Sequence, residues 1–212
     1  TEDIKIAVLV NPNNPTGSVI NHGNLLKIIE KTAENGVLLI IDEAYFYFYP
    51  ETMIGQVNNY KHLIVLRTFS KLCGLAAARL GYVASNTEII KNLGKVKPTF
   101  DVNGLGVRLV EKLLDRPDII AHAIKSVIDG REYLGQKLSN AGIEFSSGNA
   151  NFILIKCRDR VDEIVKKLKS QNIHIHRGFS HDYLKDYVRV TIGDISTMER
   201  FWNSFINIWE SQ

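Results

Sequence analysis

The sequence predicts an α/β fold, in which a mostly parallel, doubly wound sheet is followed by a smaller carboxyl-terminal α/β domain. Short runs of Val, Ile and Leu alternate with a helical pattern in the first part of the chain, which is typical of parallel strands and crossover helices. From about Ile143 the rhythm changes to shorter strands around one helix. We therefore expect residues 1–100 to form part of a large domain, residues 101–135 connecting helices, and residues 136–212 the small domain.

The composition argues against several classes of partner. The formal net charge is only +3, and the basic residues are mixed with acidic ones, so neither a nucleic-acid groove nor a membrane-surface helix is expected. No apolar run approaches the roughly eighteen residues of a membrane helix. The two cysteines, Cys73 and Cys157, have no metal-site or redox-motif spacing, which favours a reducing compartment. We expect a soluble, cytoplasmic protein without membrane or nucleic-acid partners.

Polar motifs follow the first two predicted strands directly. The run Ile4–Val10 has the pattern of a strand buried on both faces, and it stops at the rigid turn NPNNPTG, Asn11–Gly17. Apolar residues at helical spacing predict a helix over residues 24–35. The second buried strand, Val37–Ile41, ends in the motif DEAY, which begins at Asp42. Both motifs are thus expected at the carboxyl ends of strands.

A third apolar strand, Leu63–Leu66, ends in a small polar turn that carries Thr68, Ser70 and Lys71. The carboxyl ends of parallel strands meet at one edge of a sheet, so this turn should join the two earlier motifs there. Only about nine residues separate Lys71 from the next extended segment, fewer than a parallel crossover needs. That segment, residues 81–84, is therefore expected to run antiparallel.

The remaining sequence predicts helices and then the small domain. Pro117 and Asp118 form a suitable start for a long helix. Ser196 and Glu199 have the spacing of a capping box for the last helix. The expected strands of the small domain are Phe152–Ile155, Ile173–His176 and Tyr187–Ile192.

The polar residues at the three strand ends suit one cofactor as a set. A pyridoxal ring requires an amine for a Schiff base, a carboxylate at its nitrogen, donors to its ring oxygen, and hydroxyls with an arginine for its phosphate. Residues of those types are Lys71, Asp42, Asn14 with Tyr45, and Thr68 and Ser70 with Arg79. Taken singly, a lysine in a turn is more often a solvated surface residue, and an acid that ends a strand is often a helix cap.

The motifs NPNNPTG and DEAY and the run Ser70–Tyr82 resemble the central motifs of the fold-type I pyridoxal-phosphate aminotransferases, most closely the histidinol-phosphate aminotransferases. The resemblance continues through NANF, Asn149–Phe152, and YVRVTIG, Tyr187–Gly193, and covers essentially the whole chain. It implies a pyridoxal-phosphate transferase fold, a homodimer and a role in amino-acid biosynthesis.

The same resemblance implies a role for each candidate site residue. Lys71 would be the Schiff-base lysine, Asp42 would pair with the ring nitrogen, and Asn14 and Tyr45 would contact the ring oxygen. The phosphate would be held by Thr68, Ser70 and Arg79. On the substrate side, Arg189 would bind the α-carboxylate of glutamate or 2-oxoglutarate, with Asn14 and Arg177 nearby. As in relatives, the Asn14–Pro15 peptide bond is expected to be cis.

The resemblance points to transamination between an anionic, phosphorylated amine such as histidinol phosphate and 2-oxoglutarate. Two alternatives remain open at this point: a decarboxylase of an amino-acid phosphate such as threonine phosphate, and a non-catalytic binding module. Members of the family carry a long portion before the first strand seen in this sequence, so we expect a fragment that binds the cofactor weakly and turns over little. The sequence IGD, Ile192–Asp194, also departs from the small hydroxyl residue that relatives often carry there.

Two further features have simpler interpretations. His174 and His176 alternate along a predicted strand, with His181 close behind, but no carboxylate or cysteine is fixed nearby. Solvated histidines are therefore expected there, and no metal. Cys73 lies near Lys71, and we expect it to be a small buried filler.

Overall fold

The computed structural model describes residues 4–211, which divide into two compact units. The first unit comprises the chain up to Asn14 together with Ser18–Ala123. The second comprises Pro15–Gly17 together with the chain from Ile124 onward. The division falls within a long helix on one side and within the NPNNPTG turn on the other.

The first unit contains a sheet and the helices that follow its strands. Its strands are β1 (Ile6–Val10), β2 (Leu38–Asp42), β3 (Leu63–Thr68) and β4 (Gly81–Ser85). Its helices are α1 (His22–Glu34), α2 (Thr87–Val96), α3 (Gly104–Leu114) and the first part of α4 (Pro117–Asn140). The start of α4 at Pro117 agrees with the sequence prediction.

The strands of this sheet lie in the order β1-β2-β3-β4. The first three are parallel, whereas β4 pairs antiparallel with β3. This arrangement confirms both the mostly parallel α/β fold class and the antiparallel fourth strand. The short connection explains the reversal, because it cannot carry the chain back to the start of the sheet.

The first strand differs from its prediction. Alternate residues on one face of its chain segment are exposed: Ile4 by 53%, Ile6 by 56% and Val8 by 59%. The expectation of a strand buried on both faces was therefore wrong for the described residues. Only the other face of the strand is covered, since Ala7 and Leu9 pack against the core beneath α1.

Helix α1 closes one face of the sheet. Its N-cap is Asn21, whose side chain accepts a hydrogen bond from the Asn24 backbone amide, and Gly36 follows it at a φ of 63°. Leu25 and Ile29 are buried against the sheet. They join a core that also contains Leu39, Ile41, Met53, Val57, Leu63 and Val65. This core supports the strand ends from one side.

The second unit has its own sheet and core. The strands β5 (Phe145–Ser146), β6 (Phe152–Lys156) and β7 (Tyr187–Thr191) form an antiparallel sheet in that order. Helices α5 (Val161–Ser170) and α6 (Ile195–Glu210) and the later turns of α4 cover it. The core includes Leu134, Ile153, Ile164, Phe201 and Phe205. Four consecutive residues of β6, from Phe152 to Ile155, are buried, as expected for a central strand.

Two predictions in the second unit were wrong in detail. Residues 173–176 do not form a strand, and only an isolated bridge joins His176 to Arg189. The N-cap of α6 is Asp194, whose carboxylate accepts from the Thr197 amide, so Ser196 and Glu199 do not form the expected capping box. Asp194 reaches this amide because it lies one residue before the helix, where an acidic cap is also favoured by the helix dipole.

A close backbone approach places Pro15–Gly17 in the second unit. Gly17 and Gly148 both have positive φ, and a Cβ added to either would lie within 3.0 Å of the other's backbone. The Asn149 amide donates to the Gly17 carbonyl at 2.8 Å. Glycine is required at both positions, because neither the backbone angle nor the space admits a side chain.

Within residues 4–211, no helix has the combination of length and apolar character that crossing a membrane requires.

Candidate active site

The ends of β1, β2 and β3 lie side by side. Val10 is opposite Asp42 in the β1–β2 ladder, and Asp42 is opposite Leu66 in the β2–β3 ladder. The chain continues this pairing beyond β1, since the Asn11 amide donates to the Asp42 carbonyl at 2.9 Å. The structure therefore brings the starts of the three predicted motifs to one edge of the sheet.

Asn11 fixes the base of the NPNNPTG turn. It is only 3% exposed, its side-chain oxygen accepts from the Ile20 amide at 2.7 Å, and its side-chain nitrogen donates to the Ile20 carbonyl at 3.3 Å. The side-chain amide of Asn11 thus satisfies both backbone polar groups of Ile20, as a neighbouring strand would do. Asn14, the residue predicted to contact the cofactor, lies exposed farther along the turn.

The cis bond of this turn is not where the resemblance placed it. The Asn11–Pro12 peptide bond is cis, and the Asn14–Pro15 bond is not among the cis bonds of the described residues. Both steps are Asn-Pro, and only X-Pro bonds adopt the cis form at low cost, so the sequence alone does not distinguish them.

Asp42 and Tyr45 follow β2 on a tight turn. One carboxylate oxygen of Asp42 accepts from the Ala44 amide at 2.9 Å, which is the local capping contact that such an acid often makes. Asp42 is half-buried, and Tyr45 is buried. The Nζ atom of Lys71 lies 5.9 Å from the centroid of the Tyr45 ring. The tyrosine and the lysine are therefore neighbours although they belong to different motifs.

Lys71 lies exposed on the connection between β3 and β4. Thr68 closes the base of this connection, because its hydroxyl donates to the Leu80 carbonyl at 3.1 Å and accepts from the Ser70 amide at 3.0 Å. The Phe69 amide donates to the same carbonyl at 3.0 Å. These bonds hold the turn in a fixed shape while leaving the amine of Lys71 accessible.

Arg79 lies near the far end of the connection that carries Lys71. It adopts the left-handed conformation, with φ of 54°, and its guanidinium donates to the Ser70 hydroxyl at 3.3 Å and to the Ala76 carbonyl at 3.1 Å. A guanidinium beside a hydroxyl, both accessible to solvent, forms a suitable donor pair for an anion such as a phosphate. Ser70, Lys71 and Arg79 thus form one polar cluster.

The two predicted substrate arginines belong to the second unit. The Arg189 guanidinium lies over the Phe152 ring, 5.1 Å from its centroid, and the Arg189 backbone bonds to His176 in both directions. The pKa of His176 is lowered, first by burial and then by the charge of Arg189. Arg177 forms an ion pair with Asp162 on α5. The substrate roles of both arginines remain predictions.

Cys73 and the histidines also differ from the simple expectations in part. Cys73 is half-buried rather than a buried filler, because it follows Lys71 on the accessible turn with φ of 50°. Burial raises the pKa of its thiol.

His174 and His176 do not alternate along a strand. Among residues 4–211, no group of three or more His, Cys, Asp or Glu side chains has the arrangement of a metal site.

Sequence reasoning missed a buried ion pair beside the cluster. Glu43 is only 3% exposed, and its carboxylate accepts from the Nε atom of Arg67 at 3.0 Å. A signal was present, since each is a charged residue directly continuing a strand of apolar residues. Charged side chains are rarely buried without a partner, so two such residues on adjacent strands indicate a pair.

Comparison with known proteins agrees with this architecture. Residues 1–205 match the model of the family "Aminotransferase class I and II". A histidinol-phosphate aminotransferase from Thermoanaerobacter sp. (strain X514) is 37% identical over 189 residues, which are 89% of this chain and 52% of the relative. The chain thus spans about half the length of the curated relatives it matches.

Two solved structures illustrate the fold. The histidinol-phosphate aminotransferase from Sinorhizobium meliloti, solved in complex with pyridoxal-5'-phosphate, has a TM-score of 0.87 and 25% identity, with 97% of this chain and 57% of that chain covered. The L-threonine-O-3-phosphate decarboxylase from Porphyromonas gingivalis has a TM-score of 0.83 and 21% identity, with 98% and 65% covered. The latter likeness concerns the fold alone. Because the family model matches nearly the whole sequence, the chain belongs to the aminotransferase class I and II family.

Proposed function

We propose that the protein is a pyridoxal-phosphate-dependent aminotransferase that exchanges an amino group between an anionic amine, with histidinol phosphate as the best candidate, and 2-oxoglutarate. The observation that carries the proposal is the position of Lys71, which lies exposed on a fixed turn between Ser70 and Arg79, with Tyr45 beside it. Family membership supports the same reaction type. A lone surface lysine would have none of these neighbours.

The residues of the first unit fit the proposed cofactor by their chemistry. The Ser70 hydroxyl and the Arg79 guanidinium lie 3.3 Å apart, so one phosphate group can contact both. Asp42 offers a carboxylate from the neighbouring strand end, and one of its oxygens is bonded to the Ala44 amide. That bond keeps the carboxylate oriented.

Each residue then has a defined task. When bound, pyridoxal phosphate supplies a carbonyl carbon for a covalent link to an amine and an electron-withdrawing ring. Lys71 would hold the cofactor through its Nζ atom and would move the proton at the reacting carbon of the substrate. Asp42 would hold a proton at the ring nitrogen, and Tyr45 and Asn14 would orient the ring through its oxygen. Thr68, Ser70 and Arg79 would retain the phosphate.

The second unit supplies the proposed substrate recognition. Arg189 is the candidate for the α-carboxylate, because a planar guanidinium binds a carboxylate through two parallel hydrogen bonds. Its guanidinium lies over the Phe152 ring, 5.1 Å from the centroid, a contact that favours this position of the side chain. Arg177 is the second candidate, with the carboxylate of Asp162 as its present partner. A homodimer, a cytoplasmic location and a small-molecule amino donor and acceptor complete the proposal.

Covalent labelling tests the central step. The protein is incubated with pyridoxal phosphate, reduced with borohydride, digested and mapped by mass spectrometry. We expect the label on Lys71, and none there in a Lys71→Arg variant. A Lys91→Arg variant, which changes an exposed lysine of α2, is the matched control and should be labelled like the wild type. Reconstituted wild type without label on Lys71 would refute the proposal.

The products then assign the reaction. With histidinol phosphate and 2-oxoglutarate, the proposal requires the formation of glutamate. Release of carbon dioxide from threonine phosphate, with no glutamate formed from either amine, would instead assign the decarboxylase reaction. Label at Lys71 with neither product would leave cofactor binding as the function of the chain.

A further inference from the structure

The buried ion pair of Glu43 and Arg67 lies directly beside the polar cluster of the first unit. We propose that this pair is a positioning element for the cofactor site, and that it acts through Tyr45 and Asp42 on the geometry around Lys71. The inference rests on the proposed function, which it extends to residues that contact neither the cofactor nor the substrate.

Strand alternation places the pair on the face opposite to Asp42. Leu39 and Ile41 on β2 are core residues beneath α1, and Glu43 continues this alternation past the end of the strand. On β3 the same face carries Leu63 and Val65 and then Arg67. The Glu43 amide bonds to the Leu66 carbonyl at 2.9 Å, so the two strands remain paired at this level. The pair therefore closes the core immediately below the strand ends.

Glu43 uses its carboxylate to close a loop. One oxygen accepts from the Met53 amide at 2.7 Å, and the other accepts from the Thr52 hydroxyl at 2.7 Å and from Arg67 at 3.0 Å. The backbone carbonyl of Glu43 accepts from the Phe46 amide at 3.0 Å. The segment 44–53 is thus held at its start and at its end by a single residue. Tyr45 lies inside this loop and is 4% exposed.

Arg67 holds the same loop from the neighbouring strand. Its guanidinium donates to the Thr52 hydroxyl at 2.7 Å and to the Tyr82 hydroxyl at 3.2 Å, and it lies 3.5 Å from the centroid of the Phe46 ring. These contacts use the planar fork and the flat face of the group, which a lysine does not possess. Arg67 is also the residue directly before Thr68, so it links the loop of Tyr45 to the turn of Lys71.

The energetics suggest that the pair serves position rather than stability. Its side chains are only 10% and 3% exposed, so both charges are removed from water, and that desolvation offsets most of their attraction. Apolar residues of similar volume often stabilise a core equally well. What they do not provide is the directed set of hydrogen bonds that fixes the segment 44–53. The distance between the Tyr45 ring and Lys71 depends on that segment.

A double variant separates position from stability. Arg67→Met with Glu43→Gln removes both charges together and leaves no buried ion unpaired, so we expect it to fold with a melting temperature near that of the wild type. We expect its dissociation constant for pyridoxal phosphate to rise about tenfold or more, the usual effect of removing residues that orient a site. The pH at which the absorbance of the Lys71-bound cofactor changes should also shift.

The matched control is the double variant Arg108→Met with Glu111→Gln. It makes the same chemical changes in an exposed ion pair of α3, with side chains that are 81% and 52% exposed. Cofactor affinity and absorbance should remain those of the wild type. If the Glu43 and Arg67 double variant folds and also matches the wild type in both measurements, the positioning role is refuted.

Two further measurements keep the outcomes distinct. In a Tyr45→Phe background, the Glu43 and Arg67 changes should lose most of their effect on cofactor affinity, because the pair acts through Tyr45; full additivity would contradict that route. Hydrogen exchange in the cofactor-free protein should accelerate over residues 44–53 but not over β2 and β3. Unchanged hydrogen exchange over residues 44–53 would overturn the positioning role, whatever the labelling of Lys71 shows. Absence of label on Lys71 would refute only the proposed function. A double variant that fails to fold would show that the pair is needed for stability, and it too would overturn the inference.

Discussion

The two units use their arginines differently. In the first unit, Arg79 lies exposed on the Lys71 turn, and one of its nitrogens donates to both the Ser70 hydroxyl and the Ala76 carbonyl. In the second unit, Arg160 donates to the carbonyls of Ile208 and Trp209, both at 2.8 Å, at the end of α6. Arg131 donates to the carbonyls of Gly148 and Ala150 at 3.1 and 3.0 Å. The first type of contact leaves donors for a ligand, whereas the second satisfies the backbone.

This difference shows that charge alone does not mark a site. The carbonyls at a helix end have no partner within the helix, so an arginine that reaches them contributes to folding and not to binding. A half-buried guanidinium such as that of Arg131 also has its pKa lowered by burial, which is a cost that the carbonyls offset. Substitution of Arg79 in the first unit should therefore change mainly the chemistry, and substitution of Arg131 or Arg160 in the second unit mainly the stability.

The largest expected effect is on the chemistry of the first unit. Lys71→Arg retains the positive charge but removes the amine that can act as nucleophile and proton carrier. We expect the rate of transamination to fall by about a thousandfold or more, with no change in melting temperature, because Lys71 is exposed. Steady-state kinetics and thermal unfolding measure the two quantities. Activity retained by the Lys71→Arg variant would contradict the assignment of the chemistry to the first unit.

The two cysteines allow the units to be compared by thiol reactivity. Burial raises the pKa of Cys157 in the second unit from 9.0 to about 12, so at neutral pH its thiolate fraction is about a thousandfold below that of an ordinary thiol. Cys73 in the first unit is half-buried. We expect iodoacetamide to modify Cys73 first, and the rate at Cys157 to keep rising with pH well above 9. Equal rates in the folded protein, measured by peptide mapping, would contradict the burial of Cys157.

A glycine in α4 tests packing in the second unit. Helix propensity alone predicts that Gly130→Ala stabilises the protein by about 1 kcal/mol. The structure predicts the opposite sign, because a Cβ on Gly130 would overlap the carbonyl of Gly193. We expect the free energy of unfolding to fall by about 1–3 kcal/mol, as for other overpacked sites. Urea denaturation of the variant measures this change.

The smallest effect is expected at the matching glycine of the first unit. Gly94 lies in α2, is exposed, and has no neighbouring atom within 4 Å of an added Cβ. Here propensity is unopposed, so Gly94→Ala should stabilise the protein by about 0.5–1 kcal/mol. The same denaturation experiment measures it. If both glycine variants change stability in the same direction, packing at Gly193 does not decide the sign.

Much of the fold could be predicted from hydrophobic period and turn chemistry. The parallel strands, the antiparallel β4 and the start of α4 at Pro117 were predicted, because each depends on local sequence or on the length of a connection. The exposure of β1 could not be predicted in this way. An apolar run has the same pattern whether both faces of the strand are covered or only one, and only the tertiary packing distinguishes the two cases.

The candidate site was predicted as a set of residue types at strand ends, and the structure brings Ser70 and Arg79, and Tyr45 and Lys71, together. The support beneath it was not predicted. Glu43 stands next to Asp42 in the sequence, but the alternation of the strand sends their side chains to opposite faces. Glu43 and Arg67 each show a local signal, a charge that continues an apolar strand, but their pairing across 24 positions depends on which strands are neighbours.

Asn11 and Asn14 are the same residue type in one turn, but they have different environments. The Asn11 side chain bonds through both its oxygen and its nitrogen to the backbone of Ile20 and is buried, whereas Asn14 is exposed. The turn is thus held in place by the hydrogen bonds of Asn11, and Asn14 lies on its exposed part. Its shape is set before any ligand arrives, so little ordering entropy is lost when Asn14 makes a new contact.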